Sequence, residues 1–310
     1  MTTAGKTPWR IAGGRELTPA PFLIAGIVNL SEDSFSGNGV SAGDAMREIR
    51  RQVSEGAHIV DLGAESTRPG ATDIGAEEEQ RRLAPVLPEA IACRQASRTS
   101  GNPPSFELSI DTYRASTAAW ALSLLNDSPL LKDAPPAAGV DIINDISGGA
   151  FDPGMDEVLA EFKPGYVLGH CPERPAVMHR LPRYDNVADE LMCWFSERMT
   201  ALVKAGLPET CICLDPCIGF AKNLEHNLAV IAAIPRFLTL GRPLFFGISR
   251  KSLIGDLTGL PLAERDTATQ VLTALLAGAG VAIHRVHQVG ITAQTLRLTS
   301  ALAPYLGPAP

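Results

Sequence analysis

The 310-residue sequence predicts a single-domain α/β protein built as a closed (β/α)8 TIM barrel. Three observations carry this prediction. Eight short, β-rich apolar runs recur along the chain. Amphipathic stretches of helical length separate them. Each run ends in a polar side chain, just where an apolar core residue stops being required.

The runs are 22–28 (FLIAGIV), 58–63 (HIVDLG), 106–110 (FELSI), 140–145 (VDIIND), 165–170 (GYVLGH), 211–215 (CICLD), 243–249 (PLFFGIS) and 281–287 (VAIHRVH). The helical stretches are 42–56, 76–96, 114–126, 153–162, 185–205, 224–239, 264–280 and 291–303. In the first of these, Ala45, Ile49, Val53 and Ala57 repeat every fourth residue, as one face of a helix requires. Strands joined through helices must run parallel, with right-handed crossovers. Eight such units favour closure over an open doubly wound sheet. An open dinucleotide-binding sheet would also want G-x-G-x-x-G after its first strand, and Gly26-Ile27-Val28-Asn29 does not supply it. The barrel should span 22–303, with 1–21 as an extension that can form a hairpin under the barrel and 304–310 as a tail. The Pro-rich segment 127–139 reads as an insertion before the fourth strand, and 97–105 as a loop. A length-based count would suggest two domains, but barrels use ~250 residues or more as one.

Composition narrows the function. Lys and Arg number 27 against 34 Asp and Glu, a formal net charge of −7. That argues against a nucleic-acid binder with a broad basic surface, and leaves room for a local basic pocket. The N-terminal segment has no apolar core, and the longest aliphatic run, 22–28, is too short to span a bilayer. No membrane association is expected. Six cysteines show no framework spacing, and Cys211-x-Cys213-x3-Cys217 matches no common zinc pattern. A reduced, cytoplasmic protein is the simplest expectation. By period two, Cys211, Cys213 and Asp215 share a face, so the cysteines read as small barrel-core residues.

In this fold the C-terminal strand ends face the active site. They carry Asn29, Asp61, Asp111, Asn144-Asp145, His170, Asp215, Ser249-Arg250-Lys251 and Arg285-Val286-His287. Any one of them is explained by a cap or turn, but eight together are not. Asp111, Asn144 and Asp215 offer carboxylate and amide groups that suit a flat heterocycle with N–H and C=O edges. Arg68, Lys251, Arg285 and His287 are cationic or become so, and suit an anion such as phosphate. Loops after strands 7 and 8 are a recurrent phosphate site in such barrels.

At these same residues the chain resembles dihydropteroate synthase. The motifs are I-V-N-L-S-E-D-S-F-S (27–36), D-L-G-A-E-S-T-R-P-G-A (61–71), I-D-T-Y-R-A (110–115), I-N-D-I-S-G-G (143–149), L-D-P-C-I-G-F-A-K (214–222), G-I-S-R-K-S (247–252) and R-V-H (285–287). They follow family order and cover about 22–303. The resemblance implies condensation of 6-hydroxymethyl-7,8-dihydropterin diphosphate with 4-aminobenzoate, giving 7,8-dihydropteroate and pyrophosphate, with Mg²⁺. It implies that Asp111, Asn144, Asp215 and Lys251 hold the pterin, that Asn29 sits on the Mg²⁺, and that Thr67, Arg285 and His287 hold the diphosphate. Arg68, Pro69, Phe220 and Ser249 would line the aminobenzoate site. Asp111 and Asp215 would stabilise a pterin cation while Mg²⁺, Arg285 and His287 stabilise the departing oxyanions, and Lys251, Arg285, His287 and Asp111 are the expected catalytic set. No nucleophilic triad is needed. A homodimer is expected, with the apolar outer face of 264–303 as its surface.

Four departures from the family pattern stand out. Gly37-Asn38 replaces an aspartate-bearing stretch in the first loop. Cys217 and Ala221 replace two glycines, which should narrow the pocket or change the backbone angle. His170-Cys171 stands where the family often has a histidine and methionine, and Gln288 replaces an acid after His287. His170 and Cys217 are expected to be structural, and Glu77 to Glu79 to be a solvated first helical turn. A corrinoid-dependent methyltransferase is the alternative barrel, but it has no need of S-T-R-P-G, S-R-K-S or R-V-H. A pterin-binding paralogue without turnover is the other alternative.

Overall fold

The computed structural model describes residues 7–30, 41–67, 70–100, 104–124, 139–178 and 183–306. A short antiparallel hairpin comes first, β1 (Trp9–Arg10) with β2 (Glu16–Leu17). Eight parallel strands follow: β3 (Leu23–Asn29), β4 (Ile59–Gly63), β5 (Glu107–Asp111), β6 (Ile142–Asp145), β7 (Gly165–Gly169), β8 (Ile212–Asp215), β9 (Phe245–Phe246) and β10 (Ile283–Val286). Each pairs in parallel with its neighbours from β9 through β10 and β3 round to β8. A bridge between Leu214 and Leu244 joins β8 to the segment leading into β9 and closes the ring. The predicted eight-stranded barrel is thus observed.

The helices sit where the periodicity places them, with three differences. The stretch 76–96 divides into α2 (Gly75–Leu83) and α3 (Leu87–Ser100), following α1 (Ala42–Glu55). Pro85 and Pro88 explain the break, because proline lacks the N–H that a continuing helix needs. After α4 (Ala115–Ser123), α5 (Met155–Phe162) and α6 (Val187–Ala205), the stretch 224–239 divides at Ala233 into α7 (Leu224–Ala232) and α8 (Ile234–Phe237), with Pro235 in the first turn of α8. The seventh strand is shorter than 243–249, and Ser252–Thr258 forms a helix, α9, that periodicity missed. The last two are α10 (Asp266–Gly278) and α11 (Val289–Leu306). The insertion expected at 127–139 lies almost wholly outside the described residues.

Alternation along the strands builds two cores. Leu23, Ala25, Ile59, Ile142, Val167, Cys213, Phe245 and Ile283 point into the barrel. Ile24, Val28, Val60, Leu62, Leu108, Ile143, Leu168, Leu214 and Phe246 point outward against the helices. Cys213 is a barrel-core residue as expected, whereas Cys211 joins the outer core. Trp9 and Ile11 of the hairpin segment are completely buried against the inward set, so the hairpin caps the lower end. An ionic cluster pins it there. Arg15 reaches Glu107 and Asp141 at 2.6 Å each, and Asp141 also binds the fully buried Arg94 at 2.6 Å. Arg98 bonds both acids.

Candidate active site

The inward-pointing set changes character at the upper end of the strands, from aliphatic to charged. Asp61 (β4), Asp111 (β5), Asn144 (β6), Asp215 (β8) and Arg285 (β10) occupy it. Register sets Asp111 beside Asn144 on one side and Gly63 on the other, with Asp61 two residues below Gly63. Arg285 donates from Nε to Asp61 Oδ2 and from Nη2 to Asp111 Oδ2, both at 2.6 Å. Asn144 donates from Nδ2 to the same Asp61 oxygen at 3.0 Å. Arg285, expected among cations facing an anion, therefore also reaches into the acidic half.

Asp145 is not part of this ring. It points outward, where its carboxylate accepts from Ser147 N and Oγ, Gly149 N and the Tyr166 hydroxyl at 2.7–2.8 Å. It shapes the turn that carries Ile146.

Lys251 caps the start of α9, and its ammonium lies 4.1 Å from the centre of the Phe220 ring while donating to the Ile218 carbonyl. This links a predicted pterin residue to a predicted aminobenzoate residue by a cation–π contact. Ser249 stands beside the predicted diphosphate residue His287, its Oγ 3.0 Å from Nδ1. Asn29 ends β3, opposite Gly63 in register and so at the level of Asp111. Thr67 is half-buried in the loop after β4. Arg68, Pro69 and the whole first loop, 31–40, lie outside the described residues.

Burial and neighbouring charge tune these groups. Burial pushes the Asp111 carboxyl up to about 7, against the pull of Arg285 and with a further push from Asp61, Glu79 and Asp145. Burial also raises Asp215, with Lys251 opposing. Burial lowers the Lys251 ammonium to about 8, with Asp215 resisting the fall. Two acids and a lysine are thus brought towards neutrality in one cleft, as sites that manage proton and charge transfer commonly are.

An apolar wall flanks the charges. Tyr113, Ile146, Cys171, Met178, Cys217 and Ala221 are buried together, with Phe151 and Phe220 against them. Cys217 and Ala221 both hold left-handed backbone, at φ 53° and 47°. Each occupies a conformation that glycine adopts freely and other residues only at a cost of about 1–2 kcal/mol. Lys222 braces this loop. Its buried ammonium lies 3.0 Å from the His170 carbonyl, 3.3 Å from that of Phe220 and 3.5 Å from that of Cys217. His170 packs edge-on to Trp194 at 4.8 Å, and burial with Lys222 nearby lowers it to about 3. It is a neutral packing residue.

Three groups escaped the sequence reading. Asp61 was visible as a strand end but drew no role. Lys222 closes a quoted motif, and its bracing depends on carbonyls 52 to 2 residues away, which no spacing reveals. The third is the anchor of the second loop. Glu65 accepts from the Tyr113 hydroxyl at 3.0 Å and pairs with Arg114, which also reaches Glu79 at 3.3 Å. Glu79 corrects the expectation of a solvated helical turn. Glu77 is exposed, but Glu79 is 1 % exposed and accepts from Thr112 and Thr117 at 3.1 and 2.6 Å.

A parallel barrel with a buried acid–amide–arginine layer and an adjoining lysine defines a barrel enzyme for a polar heterocycle with an anionic group. Comparison with known proteins makes this specific. A model of the pterin binding enzyme family matches residues 25–287. The Escherichia coli (strain K12) dihydropteroate synthase is 35 % identical over 282 residues, covering 90 % of each chain. The Xanthomonas albilineans dihydropteroate synthase with 4-aminobenzoic acid superposes with a TM-score of 0.80 at 32 % identity, covering 96 % of this chain and 98 % of that one. The Burkholderia cenocepacia enzyme complexed with 7,8-dihydropteroate gives 0.78 at 32 % identity, covering 96 % and 97 %. The chain belongs to the pterin-binding enzymes, among the dihydropteroate synthases. The corrinoid methyltransferase alternative is set aside.

Proposed function

We infer that this chain joins 4-aminobenzoate to 6-hydroxymethyl-7,8-dihydropterin diphosphate, releasing 7,8-dihydropteroate and pyrophosphate. The observation that carries the reading is the layer of Asp111, Asn144 and Asp215 beside Lys251 and Arg285. In the reaction the carbon–oxygen bond to the diphosphate breaks and its electron pair leaves with pyrophosphate. The amine lone pair forms the new carbon–nitrogen bond, and the amine then loses a proton. Asp111 and Asp215 stabilise positive charge on the pterin, Asn144 and Lys251 orient it, and Arg285, His287 and Thr67 hold the diphosphate. Arg68, Pro69, Phe220 and Ser249 line the aminobenzoate site.

Mg²⁺ suits this site as an ion shared with substrate. No group of three or more His, Cys, Asp or Glu among the described residues forms a metal cage. Asn29 offers one hard amide oxygen, which fits an ion that takes most of its ligands from phosphate and water. Held by Asn29, such an ion would supply positive charge to offset the departing oxyanions.

A homodimer and a cytoplasmic setting complete the proposal. Leu257, Leu262, Val271, Leu275, Leu298 and Leu302 are all more than 40 % exposed on or beside α9, α10 and α11, an apolar surface suited to a second copy. All six cysteines are free, and no helix among the described residues is long and apolar enough to cross a membrane. The decisive assay supplies purified protein with the pterin diphosphate, 4-aminobenzoate and Mg²⁺. Pyrophosphate should appear only when both organic substrates are present. Pterin binding with no release would leave a pterin-binding paralogue and end the synthase reading.

A further inference from the structure

Asp61 lies outside every residue set discussed as touching substrate, yet it joins two of them. Its carboxyl is completely buried inside the barrel. A single oxygen, Oδ2, accepts from Arg285 Nε at 2.6 Å and from Asn144 Nδ2 at 3.0 Å. The other oxygen, Oδ1, is buried with no partner among the described residues. Arg285 thus has two dissimilar acidic neighbours. Asp61 is fully buried, while the Asp111 side chain is 9 % exposed and sits one inward-facing position higher, beyond the Ser109 that pairs with Asp61. A guanidinium has five N–H donors, and among the described residues the partners of Arg285 take those on Nε and Nη2.

We propose that Asp61 is a positioning residue that anchors Arg285 through Nε and Asn144 through its amide, so that the outer amino groups of Arg285 exchange Asp111 for a diphosphate oxygen when substrate binds. This rests on the synthase reading. It assigns the exchange a physical order. The sealed contact persists because breaking it would leave a buried charge unpaired. The contact to Asp111 is the one that an incoming anion displaces, and its release frees that carboxylate for the pterin. One buried residue thereby sets both halves of the pocket.

The test is Asp61→Asn in the full chain, with three readouts. The KM for the pterin diphosphate should rise about tenfold or more, while that for 4-aminobenzoate changes by less than about twofold. Equilibrium binding of 6-hydroxymethylpterin alone and of pyrophosphate alone should both weaken. The acidic limb of kcat/KM, set by Asp111 near 7, should move to lower pH. Asp111 bonds Arg285 from β10, and the negative charges of Asp61 on β4, Glu79 on α2 and Asp145 on β6 push its carboxyl up, so the variant removes one of these three acids. A purely structural role would lower thermal stability without moving that limb. The proposal is overturned if both fragments bind as in the wild type and the limb stays in place. Fragment binding reads the anchor even in a protein without turnover, so failure of the synthase reading remains distinguishable. If the variant does not fold, the Arg285 Nε–H resonance of the wild type serves instead. It should exchange slowly and keep its position when pyrophosphate is added, and exchange as fast as that of exposed arginines would contradict the anchor.

Discussion

The barrel carries a buried ionic cluster at each end of the same strands, and the two are built on opposite terms. At the lower end three arginines, Arg15, Arg94 and Arg98, surround two acids, Glu107 and Asp141. At the upper end three acids, Asp61, Asp111 and Asp215, face Arg285 and Lys251. The two aspartates Asp141 and Asp111 are both deeply buried, yet they shift in opposite directions. Three arginines and the Leu108 amide hold Asp141 below its ordinary value despite desolvation. Asp111 has one arginine, which it shares with Asp61, and burial prevails to push it up to about 7. The lower cluster has more arginines than acids and is closed by the hairpin. The upper cluster has more acids than cations, and burial raises two of those acids, so a ligand bringing positive charge would be favoured there. A satisfied cluster stabilises, and an unsatisfied one binds.

The largest effect should come from breaking the satisfied end. Asp141→Asn removes the partner of the fully buried Arg94 and should cost about 3–5 kcal/mol of stability, read by denaturant unfolding, with the turnover of the remaining folded protein unchanged. A loss below about 1 kcal/mol would deny that the lower cluster is structural. At the binding end, Lys251→Ala should lower kcat/KM by about 10²–10³. Wild-type rates in that variant would sink the site assignment. The same end should give a narrow pH optimum. Ionised Asp111 and protonated Lys251 are the active forms, so kcat/KM should rise with pH through about 7 and fall above about 8. A profile flat from 6 to 9 would show that neither group governs the rate. The smallest effect sharpens the comparison at the pocket wall. Ala221→Gly relieves left-handed strain but frees the unfolded chain, so stability should stay within about 1 kcal/mol of wild type. A loss above about 2 kcal/mol would show that the Ala221 methyl packs more than it strains.

Most of the barrel was legible because strands and helices announce themselves by period. What was missed depends on tertiary partners. The helix 76–96 looks continuous until Pro85 and Pro88 are weighed as stops rather than neutral residues. The α9 helix hides behind S-R-K-S, whose residues read as a phosphate loop. In the site, parity along β5, β6, β8 and β10 and position near the strand ends were enough to point Asp111, Asn144, Asp215 and Arg285 into the barrel. It could not show that Arg285 crosses to Asp61, because that contact spans 224 positions. Glu79 misled for a related reason. An acid in a first helical turn is normally solvated, and only the approach of Thr112, Thr117 and Arg114 makes this one an interior residue.

The difference between the two ends reduces to what happens when one acid of each is neutralised. The most direct measurement is the thermal midpoint of Asp111→Asn at pH 8. With a folded value raised to about 7 and an ordinary value of 3.8, ionised Asp111 opposes folding; the cost is absent below 3.8, grows between the two values and is complete above about 7. The midpoint at pH 8 should equal or exceed that of the wild type, with a smaller difference at pH 5 and severely reduced turnover. A fall in midpoint at pH 8 as large as that of Asp141→Asn would mean that the upper cluster is as structural as the lower one, and would contradict its assignment as the binding end.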